Sequence, residues 1–342
     1  MKKICFIFAI ALLLTVFSAC GGDKAANYED IPYYYSQASN INIGFVDKRF
    51  ELVSLVFRLA GRPEHNDIST SYQRRLASTF DNYRQHPLVT YTAQNLHFGY
   101  DAVFAMAIHL EKIGNEFTLI SDTDFLFAEM GGFVSWTREN AAEFIELLND
   151  FYVYANFSEF FHENAAYFTE HSERFQNALY NYINFEWFRQ HGFNPDNMRV
   201  VLSPSSSQNG YGGWIYGRTP DETIVYAALP GSRDYSGFRC FVIHEFAHAI
   251  GNPIAKVWYL ENEDFRRWSD DSVDLIRMPF YSSGMIMAFE YVTRAYTILY
   301  MVENTDADLL QLLRAEYLNG FPYIQEVYAM ITEHEKIEIW WW

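Results

Sequence analysis

The stretch Phe241-Val242-Ile243-His244-Glu245-Phe246-Ala247-His248-Ala249-Ile250-Gly251 decides how this chain is read. On an α-helix of about 3.6 residues per turn, His244 and His248 fall on one face, one turn apart, with Glu245 directly after the first. Two imidazole nitrogens so placed can grip one Zn2+ while the carboxylate reaches a water on the metal, the arrangement of a water-activating hydrolase. Phe238, Phe241, Val242, Phe246, Ala249 and Ile250 put apolar groups around much of the circumference, so the helix is predicted to be buried. Ser236 is read as its N-cap, and Gly251-Asn252-Pro253 as its stop.

A catalytic zinc takes three protein ligands and keeps one position open. His248 is followed by Gly251, as in metzincins, but Ile254 stands where their third histidine belongs. The short-spaced glutamate of thermolysin-like and aminopeptidase-type enzymes would fall near Arg267 and Trp268. The segment Gly284 to Tyr300 fits better: Glu290 and Arg294 are its only charges, and a carboxylate inside so apolar a helix needs a partner. Glu290 is therefore the expected third ligand, with Glu261 and Glu263 as rivals, and Arg294 is expected beside it. In this reading Glu245 takes the water's proton and delivers it to the leaving amine. An oxyanion-stabilising donor is required as well, and Tyr291, Tyr296, Tyr235, Arg233 and Arg294 are the candidates near in sequence. His86, His97 and His109 lie outside the motif and read as structural or surface residues.

Met1-Lys2-Lys3, the apolar run Ile4 to Phe17, and Ser18-Ala19-Cys20 read as a bacterial lipoprotein signal over residues 1–19, with Cys20 as the acylated N-terminus. The protein is then exported and membrane-tethered. With Cys5 in the signal and Cys20 lipidated, Cys240 remains alone; no internal disulfide is available, and Cys240 reads as a small buried hydrophobe. The net charge of -18 includes Lys2 and Lys3, and so acidic a chain argues against nucleic acid as a partner. With 50% hydrophobic and 18% aromatic residues, it can still build a substantial core.

Residues 20–45 read as a tether and 46–193 as a helical N-terminal region, with helices near 48–61, 68–85, 100–113, 138–152 and 168–190. From Asn194-Pro195 the texture becomes β-rich: Met198 to Leu202, Trp214 to Gly217 and Thr223 to Leu229 make a small sheet, the last strand being the candidate edge for pairing with an extended peptide. The fold class is α+β, mainly helical, with residues 194–342 as a zincin-like catalytic region. The Trp340-Trp341-Trp342 tail reads as a terminal strand or packing plug.

The chain resembles a family of secreted and lipid-anchored bacterial proteins, carried as a domain of unknown function and related to gluzincin metallopeptidases. The resemblance runs through Phe50 to Gly61, His86-Pro87-Leu88-Val89, Phe98 to Ala102, Ile243 to His248 with Asn252-Pro253, and Glu290 with Arg294-Ala295. It implies a zincin fold, a zinc cofactor and a peptide or protein substrate. The wide gap from His248 to Glu290 departs from the best-known gluzincins. Two competing classes are a non-catalytic surface lipoprotein that binds glycans or peptides through its aromatic residues, and a zinc amidase acting on peptidoglycan. Neither a Gly-x-Ser-x-Gly elbow nor a phosphate-binding glycine loop is present, so serine-hydrolase and nucleotide readings have no support.

Overall fold

The computed structural model describes residues 33–34, 42–66, 70–95, 102–114, 116–124, 126–127, 129–130, 133–134, 136–206, 210–215, 222–273, 281 and 283–338. The expected signal, Cys20, His97 and the tryptophan tail lie outside the described residues. Strands β1 (Tyr33–Tyr34) and β2 (Ile43–Asp47) lead into helices α1 (Lys48–Leu59), α2 (Ser71–Phe80), α3 (Pro87–Asn95) and α4 (Ala102–His109). Two small hairpins follow, β3 (Leu110–Ile113) with β4 (Glu116–Leu119) and β5 (Glu129–Met130) with β6 (Phe133–Val134). Then come α5 (Arg138–Tyr154), α6 (Phe157–Glu163), α7 (Ala165–Ala178), α8 (Phe185–Gln190), β7 (Met198–Ser203), β8 (Tyr211–Ile215) and β9 (Ile224–Pro230). Five helices close the chain: α9 (Arg239–Glu261), α10 (Glu263–Val273), α11 (Gly284–Asn304), α12 (Leu309–Leu318) and α13 (Ile324–Glu338). The architecture is α+β and mainly helical, as expected.

Five strands form the main sheet in the order β1-β2-β7-β9-β8. β2, β7 and β9 run parallel, while β8 is antiparallel to β9 at one end of the order. The sheet thus draws strands from both halves of the chain. Side chains alternate across a strand, and Tyr211 and Gly212 show where the two faces lead. The Tyr211 ring stacks on Phe104 of α4 at 6.2 Å, whereas Gly212 abuts Glu245 of α9, so α4 and α9 cover opposite faces.

The expected edge strand is corrected. Thr223 to Leu229 maps onto β9, which sits between β7 and β8, and β8 is the terminal strand. β9 reads Ile-Val-Tyr-Ala-Ala-Leu-Pro and is buried beyond its first residue, which suits an interior strand. The glycine pair and partial exposure of β8 suit the end of a sheet.

α1 carries apolar residues on every side, and such a helix has to be enclosed. All of its residues but Arg49 are buried, charged ones included. Glu51 accepts from Tyr72 Oη at 2.6 Å, Ser203 Oγ at 3.0 Å, Ser205 Oγ at 2.9 Å and Ser205 N at 3.2 Å. Arg58 donates to Ser205 O at 2.8 Å, and Gln73 Nε2 to Pro204 O and Ser206 O. The first two helices therefore clasp the turn that follows β7. Burial pushes the Glu51 carboxyl up to about 7 against the pull of these hydrogen bonds.

Several helix boundaries differ from expectation. The helix expected over 100–113 ends at His109, because Leu110 to Leu119 pairs as a hairpin around Gly114 at φ +60°. The one expected over 168–190 breaks between α7 and α8, where the Asn184 side chain accepts from Trp187 N and starts a new helix. Ser236 does not cap α9; it bonds Asp234 in the preceding turn. α9 also runs through its expected stop, with Pro253 inside it. An interior proline costs a helix about 3 kcal/mol, and packing on α11 overrides it. A Cβ at Gly251 would stand 3.1 Å from Thr293 N, so the two helix backbones nearly touch there.

Candidate metal centre

α9 places His244 one turn before His248, their rings edge-on with centroids 4.8 Å apart, and α11 brings Glu290 against both. Glu290 Oε2 lies 3.5 Å from His244 Nε2, and Oε1 lies 3.6 Å from His248 Nε2. These separations are too long for hydrogen bonds. Each is close to the roughly 3.4 Å between two donors that share an ion at arms of about 2.0–2.1 Å, with His244 facing Oε2 and His248 facing Oε1. Glu290 Oε2 is buried and accepts no hydrogen bond among the described residues. Two nitrogens and one carboxylate oxygen, all within 4.8 Å of one another, are a donor set that fits a small divalent ion. The three side chains keep 10–16% of their surface exposed, so the centre opens to solvent.

The imidazoles are prepared for this. Burial, then the charges of His248 and Arg294, drives His244 well below its usual range, so it is neutral with a lone pair to give. His248 Nδ1 lies 3.0 Å from Asn252 Oδ1 and 3.0 Å from Thr293 Oγ1. An Nδ1–H donated to Asn252 leaves the Nε2 lone pair facing Glu290. Asn252, read from sequence as part of a helix stop, is instead one turn beyond His248 and orients it.

Glu245 projects toward the end strand: a Cβ at Gly212 of β8 would stand 1.5 Å from Glu245 Oε2. Burial and then the charge on Glu290 push the Glu245 carboxyl up to about 8, with Arg294 pulling it down. Trp214, two residues along β8 and on the same face as Gly212, lies against His248 at 5.9 Å.

The sequence from residue 43 to residue 338 matches one family. The chain belongs to the family described as a domain of unknown function, DUF4932. The DUF4932 match runs from β2 to the end of α13 and so includes the sheet, α1 and the whole His/His/Glu group. Comparison with curated proteins and with solved structures gives no match.

Of the residues singled out in sequence, His244, Glu245, His248, Glu290 and Arg294 come together. Arg294 Nη2 is 3.2 Å from Glu290 Oε2, its Nη1 is 2.7 Å from Glu316 Oε2, and its guanidinium lies 4.1 Å over the Phe321 ring. The rivals Glu261 and Glu263 are exposed. Cys240 is exposed rather than buried, its Sγ 4.0 Å from Met301 Sδ. His86 pairs with Asp150, and His109 Nδ1 bonds Ala105 O, both in the helical N-terminal region.

The tyrosines expected near the site are engaged elsewhere. Tyr296 is fully buried with its ring on His191, since six residues beyond Glu290 is about 120° around the helix. Tyr291 Oη bonds Ser272, and Tyr235 Oη bonds His171, while Arg233 is exposed. The phenol at the site is Tyr281, whose Oη accepts from Arg294 Nη2 at 3.4 Å. Burial and then Glu290 push it up to about 12, so it keeps its proton. Its only mark in sequence is its place in the polar stretch Tyr281-Ser282-Ser283, just ahead of the residues of the helix that bears Glu290.

Proposed function

We propose that this protein is an envelope-anchored, zinc-dependent metallopeptidase with a zincin-like core, in which His244, His248 and Glu290 hold the metal. The observation that carries this reading is the pair of nitrogen–oxygen spacings of 3.5 and 3.6 Å, too long for hydrogen bonds and suited to a shared ion. A zinc bound there supplies Lewis acidity, making a water acidic near neutral pH and polarising the substrate carbonyl. Glu245 accepts the proton of the attacking water and passes it to the departing amine. Glu245 stands at about 8 with Arg294 beside it, and the further positive charge of a bound divalent ion would favour its ionised form. Tyr281, protonated and with its oxygen fixed by Arg294, donates its hydrogen to the carbonyl oxygen as charge builds there. β8, last in the sheet and beside Glu245 and His248, is the strand along which an extended peptide would lie. The Cys20 lipid would keep this chemistry at the membrane surface.

Elemental analysis of the purified protein, with hydrolysis of a peptide library measured beside digestion of purified cell wall, tests the reading. One zinc per chain and cleavage of peptides is the expected result; cell-wall cleavage alone would make the protein a peptidoglycan amidase. Glu245→Gln is expected to keep the zinc and lower kcat by about 10²–10⁴-fold. Absence of zinc, or undiminished hydrolysis by Glu245→Gln, would refute it.

A further inference from the structure

Gly212 is fixed by the sheet, paired across from Ala227 of β9, and β9 in turn is flanked by β7. Its backbone therefore has little freedom to retreat. A Cβ built there would stand 1.5 Å from Glu245 Oε2, 2.2 Å from Cδ and 3.0 Å from Cγ. No side chain can occupy that point while the carboxylate stays where it is. Two residues on, the same face of β8 presents Trp214 to His248. Strand and helix are thus keyed together at Gly212–Glu245 and at Trp214–His248, both beside the His244/His248/Glu290 group.

We infer that Gly212 is a positioning residue: the missing side chain at this point of the end strand is what allows the Glu245 carboxylate to lie between β8 and the metal centre. The inference rests on the hydrolase reading for its catalytic meaning, but its steric content does not. Glycine inside a strand ordinarily weakens it, and replacement by alanine should stabilise wherever space is free. At residue 212 the sign is expected to reverse, because the added methyl displaces the half-buried Glu245 carboxylate from the place it holds against β8.

The test is a double-substitution cycle on the full chain, read first by thermal unfolding of metal-free protein. Gly212→Ala is expected to lower the apparent Tm by about 3–5 °C in the native background. With Glu245→Ala present, the same change should leave Tm unaltered or raise it by about 1 °C. Equal losses in both backgrounds would show that the methyl group clashes with something else and would overturn the inference. The second reading is kinetic: Gly212→Ala should retain its zinc and the wild-type KM while kcat falls about 10²-fold, the loss that accompanies a misplacement of about 1 Å. A Gly212→Ala enzyme with native kcat would also overturn it. Coupling in Tm within a wild-type protein that binds no zinc and hydrolyses nothing would fail the hydrolase reading, while leaving the steric contact established without a catalytic role.

Discussion

Asn252 and Thr293 together decide which nitrogen of His248 faces the metal centre, and removing them should weaken zinc in steps. Both oxygens lie 3.0 Å from Nδ1, one from the next turn of α9 and one from α11. A partner of this kind typically contributes about 10–100-fold to metal affinity. Here two acceptors share one N–H, so either can hold the ring when the other is lost. Asn252→Ala and Thr293→Val are therefore each expected near the low end, about 10-fold in zinc Kd, or about 1.4 kcal/mol. The double variant, with no oxygen left at Nδ1, should lose about 100-fold or more. Valine keeps the shape of threonine where Gly251 of α9 approaches α11 most closely, so the helix pair should stay intact. Competition with a chromogenic chelator at fixed pH measures Kd, and far-ultraviolet dichroism confirms the fold. A double variant that binds zinc as tightly as wild type would refute the argument, because His248 would then owe nothing to the hydrogen bonds at Nδ1.

Two further outcomes follow from groups away from the ligands. Tyr281→Phe should lower kcat about 10²-fold, as loss of one oxyanion donor does, with zinc content and KM near native; an unchanged kcat would remove Tyr281 from the mechanism. Glu51 has a folded value of about 7, above the ordinary carboxyl value of about 4.3, so the folded protein keeps a proton that the unfolded chain releases. Its contribution to stability is complete below about pH 4 and is lost as pH rises to about 7, on the order of 3 kcal/mol in all. Glu51→Gln should flatten this fall in urea-denaturation stability between pH 4.5 and 7.5, and parallel profiles for variant and wild type would contradict it.

The parts of the site legible in sequence are those set by helical periodicity and by charge in apolar surroundings. His244 and His248 had to share a face once they lay on a helix, and Glu290 with Arg294 stood out because α11 has no other charge before Glu303. What escaped depends on contacts between elements distant in sequence. Tyr281 reaches the centre from outside any helix or strand, Glu316 reaches Arg294 from α12, and Gly212 matters only because β8 lies on α9. The pair Gly212-Gly213 inside a strand pattern was a usable sign of close backbone approach. Tyr296 is near Glu290 in sequence but lies about 120° around the helix from it, with its ring against His191. At Pro253 the local stop signal is outweighed by the packing at Gly251, and α9 continues.

The long interval between His248 and Glu290 follows from how α9 and α11 lie together. Contacts between them run in opposite order along the two helices: Cys240 meets Met301, His248 meets Thr293, and Tyr259 stands beside Gly284. The pair is therefore antiparallel, and the position facing His248 is fixed near Thr293. One turn either side of Thr293 on that face are Glu290 and Thr297, and of these only Glu290 carries a carboxylate. α9 continues for three and a half turns past His248, α10 leads on from it, and α11 must then cover its first two turns before it draws level with the histidines. A ligand at shorter spacing, near Arg267 or Trp268, would fall on α10, where Trp268 is instead stacked on Tyr323 and Arg267 pairs with Asp264. Shortening α9 beyond Gly251 would therefore leave the centre in place only if α11 kept its register on α9 through the contact of Gly251 with Thr293. The identity of the third ligand rests on that register, and the distance between the two motifs along the chain does not determine it.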